Sequence, residues 1–266
     1  MIALIGSEGP LTVALTQALR HRGEASMTCA LGVETVLEPA SGPVTFRLEH
    51  LGTLLRHLRD RGVEAVCFAG GIARPQVDPS RIDAATMPLV PRLLAALGKG
   101  DDGALRVALG IFEEAGFVVR AAHEIAPDLL PAAGVLTAAQ PTAQHESDAR
   151  RAEEVHRLLA AADVGQGVIV RRGQVVAVEA QPGTDFMLRS VRGHADGALF
   201  LKAPKRGQDR RADLPVIGVH TVALAQEAGL AAIVLESGGV MVIDRAATVA
   251  AADAAGVVLW VREPDA

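Results

Sequence analysis

Apolar residues along the chain follow two rhythms. Short continuous runs such as "MIALIG" at the start and "VEAVCFAGG" at 63–71 predict strands buried on both faces. Between them, "PLTVALTQALRHRG" and "HLGTLLRHLRDRG" set leucines at helical spacing and stop on Gly23 and Gly62, with Pro10 near the start of the first. "EASMTCALG" predicts a weaker strand, "ALRVALGIFEEAG" a later helix and "FVVRAA" a short strand. Repeated strand–helix–strand units with glycine stops predict a parallel sheet covered on both faces, a Rossmann-like α/β domain.

The second half alternates differently. "GVIVRRGQVVAVEA" predicts two strands turning at Arg172-Gly173, and "AAIVLESGGVMVID" two strands turning at Gly238-Gly239. "DGALFLKAP" reads as a strand, "VIGVHTVALAQEAG" and "RAATVAAADAAG" as helices, and "VVLWVRE" as a final strand. That is a mixed α/β domain and not a copy of the first. The polar stretch "QPTAQHESDARR" lacks large apolar residues and runs into a helix. The expected division is therefore an N-terminal domain over 1–139, a linker over 140–150 and a C-terminal catalytic domain over 151–266.

Composition narrows the function. Half of the 266 residues are hydrophobic and 21% are charged, which suits a packed soluble protein with a sizeable core. The net charge of −5 provides no basic field for nucleic acid. Cys29 and Cys67 sit in apolar runs without a Cys-x-x-Cys and read as buried thiols. No signal-peptide pattern opens the chain, and no apolar run approaches the ~18 residues a membrane span needs. A cytosolic protein is expected, with peripheral contact with a membrane left open.

Candidate chemistry falls at element ends. Gly6-Ser7-Glu8-Gly9 lies between the first strand and first helix, and Gly70-Gly71 with Arg74 follow another strand. Such loops gather at the carboxyl ends of strands, where open sheets bind ligands, and helix-start amides suit phosphate. A tight βα turn explains the first loop equally well. The Gly-x-Gly-x-x-Gly fingerprint is absent, which weakens the alternative of a nicotinamide-dependent oxidoreductase. Asp101-Asp102 read as caps of the next helix. In "VEAQPGTDFMLR", Thr184 or Asp185 is a natural N-cap, Glu179 ends a strand and Arg189 follows one turn later. The densest charge is "KRGQDRRADLP" at 205–215. Asp209 and Asp213 share a face in a helical turn or converge in a loop, and carboxylates are the hard ligands Mg²⁺ takes alongside phosphate and water. Lys202, Lys205, Arg210 and Arg211 offer phosphate neutralisation. The competing assignment makes Asp213 an N-cap, with Pro215 as first helical residue and surface ion pairs around it. Spacing leaves both open, and it leaves His220 either facing a site or packing.

Taken together, "DVGQGVIVRRGQVVAVEAQPGTDFMLR", "LFLKAPKRGQDRRADLPVIGVHTVALAQEAGLAAIVLESGGVMVIDR", "FAGGIARP" and "FEEAGFVVRAAHEIAPDLL" resemble, in order and spacing, the LpxI-type UDP-2,3-diacylglucosamine hydrolases of lipid A biosynthesis. "GSEGPL" departs from the richer glycine run of that pattern. The resemblance implies two α/β domains with substrate held between them. It also implies hydrolysis of the pyrophosphate to UMP and 2,3-diacylglucosamine 1-phosphate, water attacking the α-phosphorus with Mg²⁺ assisting. On this reading Asp213 and then Asp209 are the catalytic carboxylates, and Glu179 and Asp185 join them as metal ligands. Gly9, Gly70, Gly71, Gly183, Thr184, Arg189, Lys202, Gln208, Arg210, Arg211 and Thr221 contact substrate. The partners expected are the lipid substrate, its lipid product and, transiently, the inner membrane, with a homodimer left open. An apolar groove for the acyl chains is expected among the small-residue helices of the second domain. A non-catalytic nucleotide-sugar or lipid carrier is the remaining alternative.

Overall fold

A computed structural model of the chain describes residues 1–70, 77–97, 101–205 and 207–263. Gly71 and Arg74, both singled out by sequence, lie outside the described residues. Two compact units emerge, Met1–Pro127 with Asp209–Asp213, and Asp128–Gln208 with Leu214–Ala266.

In the first unit, β1 (Ile2–Gly6), β2 (Ser26–Leu31), β3 (Val44–Phe46), β4 (Ala65–Ala69) and β5 (Val118–Val119) form a parallel sheet ordered β3-β2-β1-β4-β5. The helices are α1 (Pro10–His21), α2 (Leu51–Asp60), α3 (Val90–Leu97), α4 (Asp101–Glu114) and α5 (Ala122–Ile125). Alternate strand residues explain the two-sided burial. Ala3, Ile5, Val66 and Phe68 pack with Leu54 and Leu58 of α2 and Leu109 and Phe112 of α4. Leu4 and Cys67 point the other way by the period of two and are also buried, as are Leu15 and Leu19 of α1. The expected Rossmann-like sheet is present. α4 begins at Asp101, but the side chains of Asp101 and Asp102, expected as caps, lie outside what is described.

The second unit holds β6 (Gly134–Val135), α6 (Ala143–Ala161), β7 (Gly167–Arg171), β8 (Gln174–Val178), α7 (Gly183–Ser190), β9 (Leu199–Lys202) and β10 (Val216–Ile217). It continues with α8 (Val219–Glu227), β11 (Ala232–Glu236), β12 (Met241–Val242), α9 (Arg245–Ala255) and β13 (Val258–Arg262). Its main sheet is mixed, ordered β6-β13-β11-β9-β7-β8. Ile169, Phe200, Ile233 and Leu259 face a core shared with Leu188 of α7, Val222 and Ala225 of α8, and Ala252 of α9. Val168, Leu201 and Val234, on the opposite face, meet Ala149 and Ala152 of α6.

Three expectations change. The change of unit falls after Pro127, so 128–139 belongs to the second unit and β6 pairs with β13. Most of the expected 140–150 linker is instead the start of α6. Thr142 caps it by accepting from His145 N at 3.2 Å. The inward face of its first turns is small or polar, with Val155 and Leu159 joining the core only later, and buried Asp148 accepts from Arg172 N at 3.0 Å and Gly173 N at 2.6 Å. A helix whose first turns pack through alanines and one carboxylate looks like a linker there when apolar bulk is the guide. Second, the Arg172-Gly173 turn forms as expected, with φ of 49° and 77°, the paired positive values of a two-residue hairpin. β11 and β12, by contrast, do not pair; β12 lies parallel to β10 in a separate ribbon. Third, Ala225 of α8, its C-cap Ala228 and Ala252 of α9 are buried in the core, so these small residues serve packing. Among the described residues no helix is long and apolar enough to cross a membrane.

Candidate functional site

In the first unit the strand order reverses direction between β1 and β4, the point where open α/β sheets bind ligands. Gly6 and Gly70 stand there. A Cβ at Gly6 would lie 2.1 Å from the carbonyl oxygen of Ala69, and one at Gly70 would lie 2.7 Å from Ser7 Oγ. Both also have positive φ, 154° and 85°. Among the described residues, Gly6 and Ser7 after β1 therefore lie beside Ala69 and Gly70 at the end of β4. Gly9 has extended backbone at the N-cap of α1, with nothing near its absent side chain.

The 209–213 segment also belongs to the first unit, where Ala212 packs against the core. Arg211 grips Asp209 through Nε–Oδ1 at 3.0 Å and Nη2–Oδ2 at 2.8 Å, and its backbone N adds a third bond at 3.0 Å. Its Nη1 donates to Glu113 of α4 at 2.7 Å. That guanidinium beside Asp209 holds the carboxyl below its usual range, against the opposing effect of burial. Arg210 is exposed. Burial, and then the charge of Arg210, lower the pKa of His123 on α5. Asp213 is exposed and does not cap a helix: β10 follows it, and α8 starts at Val219 with Gly218 as N-cap. Pro215 accordingly is not a first helical residue, because its carbonyl accepts from Met241 N beside β12.

The second unit builds a different constellation. Lys202, 3% exposed at the end of β9, donates from Nζ to Glu179 Oε2 and to Thr184 Oγ1, each at 2.7 Å. Thr184 Oγ1 donates to the same Glu179 oxygen at 3.0 Å, closing a triangle. Thr184 and Asp185 lie within the first turn of α7 and are not its N-cap, which is Pro182. The next residue, Asp185, has Oδ2 2.9 Å from His220 Nε2 and 3.5 Å from Arg189 Nη2, all three partly or largely exposed. Gly183 opens α7 at a φ of 86°. Gln208 Oε1 accepts from Lys205 N at 3.1 Å and Gln166 Nε2 at 3.0 Å, and buried Thr221 accepts from Gly218 N at 3.4 Å at the start of α8.

The four expected metal ligands thus divide, Asp209 and Asp213 with the first unit, Glu179 and Asp185 with the second. Asp209, Glu179 and Asp185 each face a basic side chain already. Sequence reading missed Glu113 as the partner of Arg211 and left His220 unassigned. Neither has a local signature, since Glu113 lies 98 residues from Arg211 and His220 lies 35 from Asp185.

Comparison with known proteins covers both units. Residues 1–129 match the LpxI N-terminal domain and residues 132–260 the LpxI C-terminal domain. A UDP-2,3-diacylglucosamine pyrophosphatase LpxI of Caulobacter vibrioides is 42% identical over 215 residues, 77% of each chain. With both domains matched in order along nearly its whole length, the chain belongs to the LpxI family.

Proposed function

We propose that this chain hydrolyses the pyrophosphate bond of UDP-2,3-diacylglucosamine, releasing UMP and 2,3-diacylglucosamine 1-phosphate as a step of lipid A biosynthesis. The observation that carries this reading is the 42% identity, over 77% of both chains, to a relative bearing that activity in its name. The exposed Asp213, with the exposed Arg210 three positions before it, supplies chemistry the reaction needs. A carboxylate orients water or accepts its proton, while a guanidinium offsets charge growing on phosphoryl oxygens.

Mg²⁺ belongs to the same proposal. That ion takes one or two carboxylates and fills its octahedron with water and substrate phosphate. It therefore does not require a cluster of three ligands, and the described residues form none. Asp213 fits the demand best, because it is exposed where Asp209 and Asp185 are half-buried and Glu179 is buried, so a hydrated ion reaches it most readily. Bound there, the ion supplies Lewis-acid polarisation of a phosphoryl oxygen.

The test is UMP release from UDP-2,3-diacylglucosamine with Mg²⁺, after chelation, and after Mg²⁺ is returned. Release that stops and resumes supports the reading; full activity in metal-free enzyme removes Mg²⁺ from it, and no release under any condition removes the hydrolase. Running the reaction in H₂¹⁸O assigns the attacked phosphorus, label in UMP for the α position and label in the lipid product for the β position. Because acyl chains hold the substrate in a bilayer, transient contact with the inner membrane is part of the proposal. Flotation with substrate-containing vesicles checks it.

A further inference from the structure

Three of the residues expected to touch metal or substrate instead touch one another. Glu179, Thr184 and Lys202 form a closed hydrogen-bonded triangle, with Glu179 and Lys202 buried and Thr184 half-buried. The fold makes room for it at a cost in sequence freedom. A Cβ on Gly165 would lie 2.1 Å from the Glu179 carbonyl oxygen, and one on Gly167 would lie 2.6 Å from Glu179 Oε2. Strand register then completes the seat, since Gly167 of β7 stands opposite Lys202 of β9 and accepts the backbone N–H of Glu179. Stability alone is a weak reason for such a pair, because an apolar pair of similar size often serves a core as well or better. The triangle does have one geometric consequence. Through the Thr184 hydroxyl it grips the first turn of α7, and the residue following is Asp185, which meets His220 at 2.9 Å on the surface.

We propose that Glu179, Lys202 and Thr184 are positioning residues for the reaction, a largely buried device that fixes the first turn of α7 and so the Asp185–His220 pair, a solvent-facing carboxylate and imidazole suited to moving a proton during the hydrolysis. This inference rests on the hydrolase reading above and replaces a metal role for Glu179 and substrate contact for Lys202 and Thr184. Side chains that must sit within a fraction of an ångström are set by such supporting contacts, and a displacement of about 1 Å costs up to ~10² in rate.

Thr184→Val keeps the shape of the side chain and the ion pair but deletes both hydroxyl bonds; Thr184→Ser keeps the hydroxyl. The expected result is a kcat about 10- to 100-fold lower in Thr184→Val with KM within about 3-fold, and recovery in Thr184→Ser. The concentration of Mg²⁺ giving half-maximal rate should not move. The imidazole NMR signal of His220, identified by its loss in His220→Gln, should shift in Thr184→Val and return in Thr184→Ser. A paired variant, Glu179→Gln with Lys202→Met, removes the charges together; it is expected to fold with a melting temperature near wild type while kcat stays low. Unchanged kcat in Thr184→Val overturns the proposal, as does a raised KM at intact kcat or a displaced Mg²⁺ requirement. Full activity in the paired variant, or a stationary His220 signal, does the same. Wild-type enzyme that releases no UMP strikes at the hydrolase reading instead, and the His220 signal still tests the triangle.

Discussion

At the scale of residues, Asp213 and Asp209 look alike in sequence and differ in surroundings. Asp213 is exposed and caps no helix, so Asp213→Ala should cost about 0.5 kcal/mol or less in stability. Turnover should nevertheless fall by ~10² or more if the carboxylate orients water or metal. Melting temperature and UMP release on one purified variant check both, and near-normal turnover moves the role to Asp209. Asp209 is held ionised by Arg211. A carboxyl whose folded pKa lies below its unfolded value, about 3.9, stabilises the fold above that pH and loses the contribution as pH falls through the folded value. Urea midpoints across an acid series should therefore separate wild type from Asp209→Asn above about pH 4, with the gap closing below it. The thiols of Cys29 and Cys67, pushed up to about 12 by burial, should resist a thiol reagent until the protein unfolds.

Elements show where local signals suffice and where they stop. The β7–β8 hairpin was legible because a two-residue turn carrying glycine needs positive φ at both positions, and these residues adopt it. Asp148 then locks the turn from α6, a contact across 24 residues that no local pattern announces. Asp148→Asn puts an amide donor where backbone N–H groups need an acceptor, and it should cost about 1–3 kcal/mol in urea unfolding. Gly238-Gly239 gave the same hairpin signal for a different reason. A Cβ on Gly239 would lie 2.7 Å from Pro204 Cδ, so this glycine permits a close approach, and β12 takes β10 as its neighbour. Glycine reports that backbone needs room or freedom; it does not say which strand is the partner.

The whole molecule places a short piece of late sequence in its first unit. Asp209–Asp213 joins residues 1–127, seating Ala212 on that core and Arg211 on Glu113. A fragment ending at residue 127 lacks both contacts. Amide exchange at Phe112 and Phe117 should be faster in that fragment than in the full chain, and equal rates would show that the returning segment adds nothing to this core. The dividing line expected from polarity fell more than ten residues late, because the first turns of α6 pack by means of alanine and a buried carboxylate, and Val155 and Leu159 join the core only further on.

What the sequence determined by itself was the kind and order of the elements, the two α/β units, the glycine loops at strand ends and, through resemblance, the family. These depend on signals that repeat every two or 3.6 residues or on motifs read along the chain. Only the tertiary structure decided which cation meets which carboxylate. Asp209 received Arg211 from two positions away, Glu179 received Lys202 from 23, and Asp185 met His220 from 35. Sheet register and helix packing choose such partners, and a side chain buried without one carries a desolvation penalty that the finished fold must offset. A list of charged residues in the sequence names the participants in the site, and the register of β7 against β9 decides how three of them are paired.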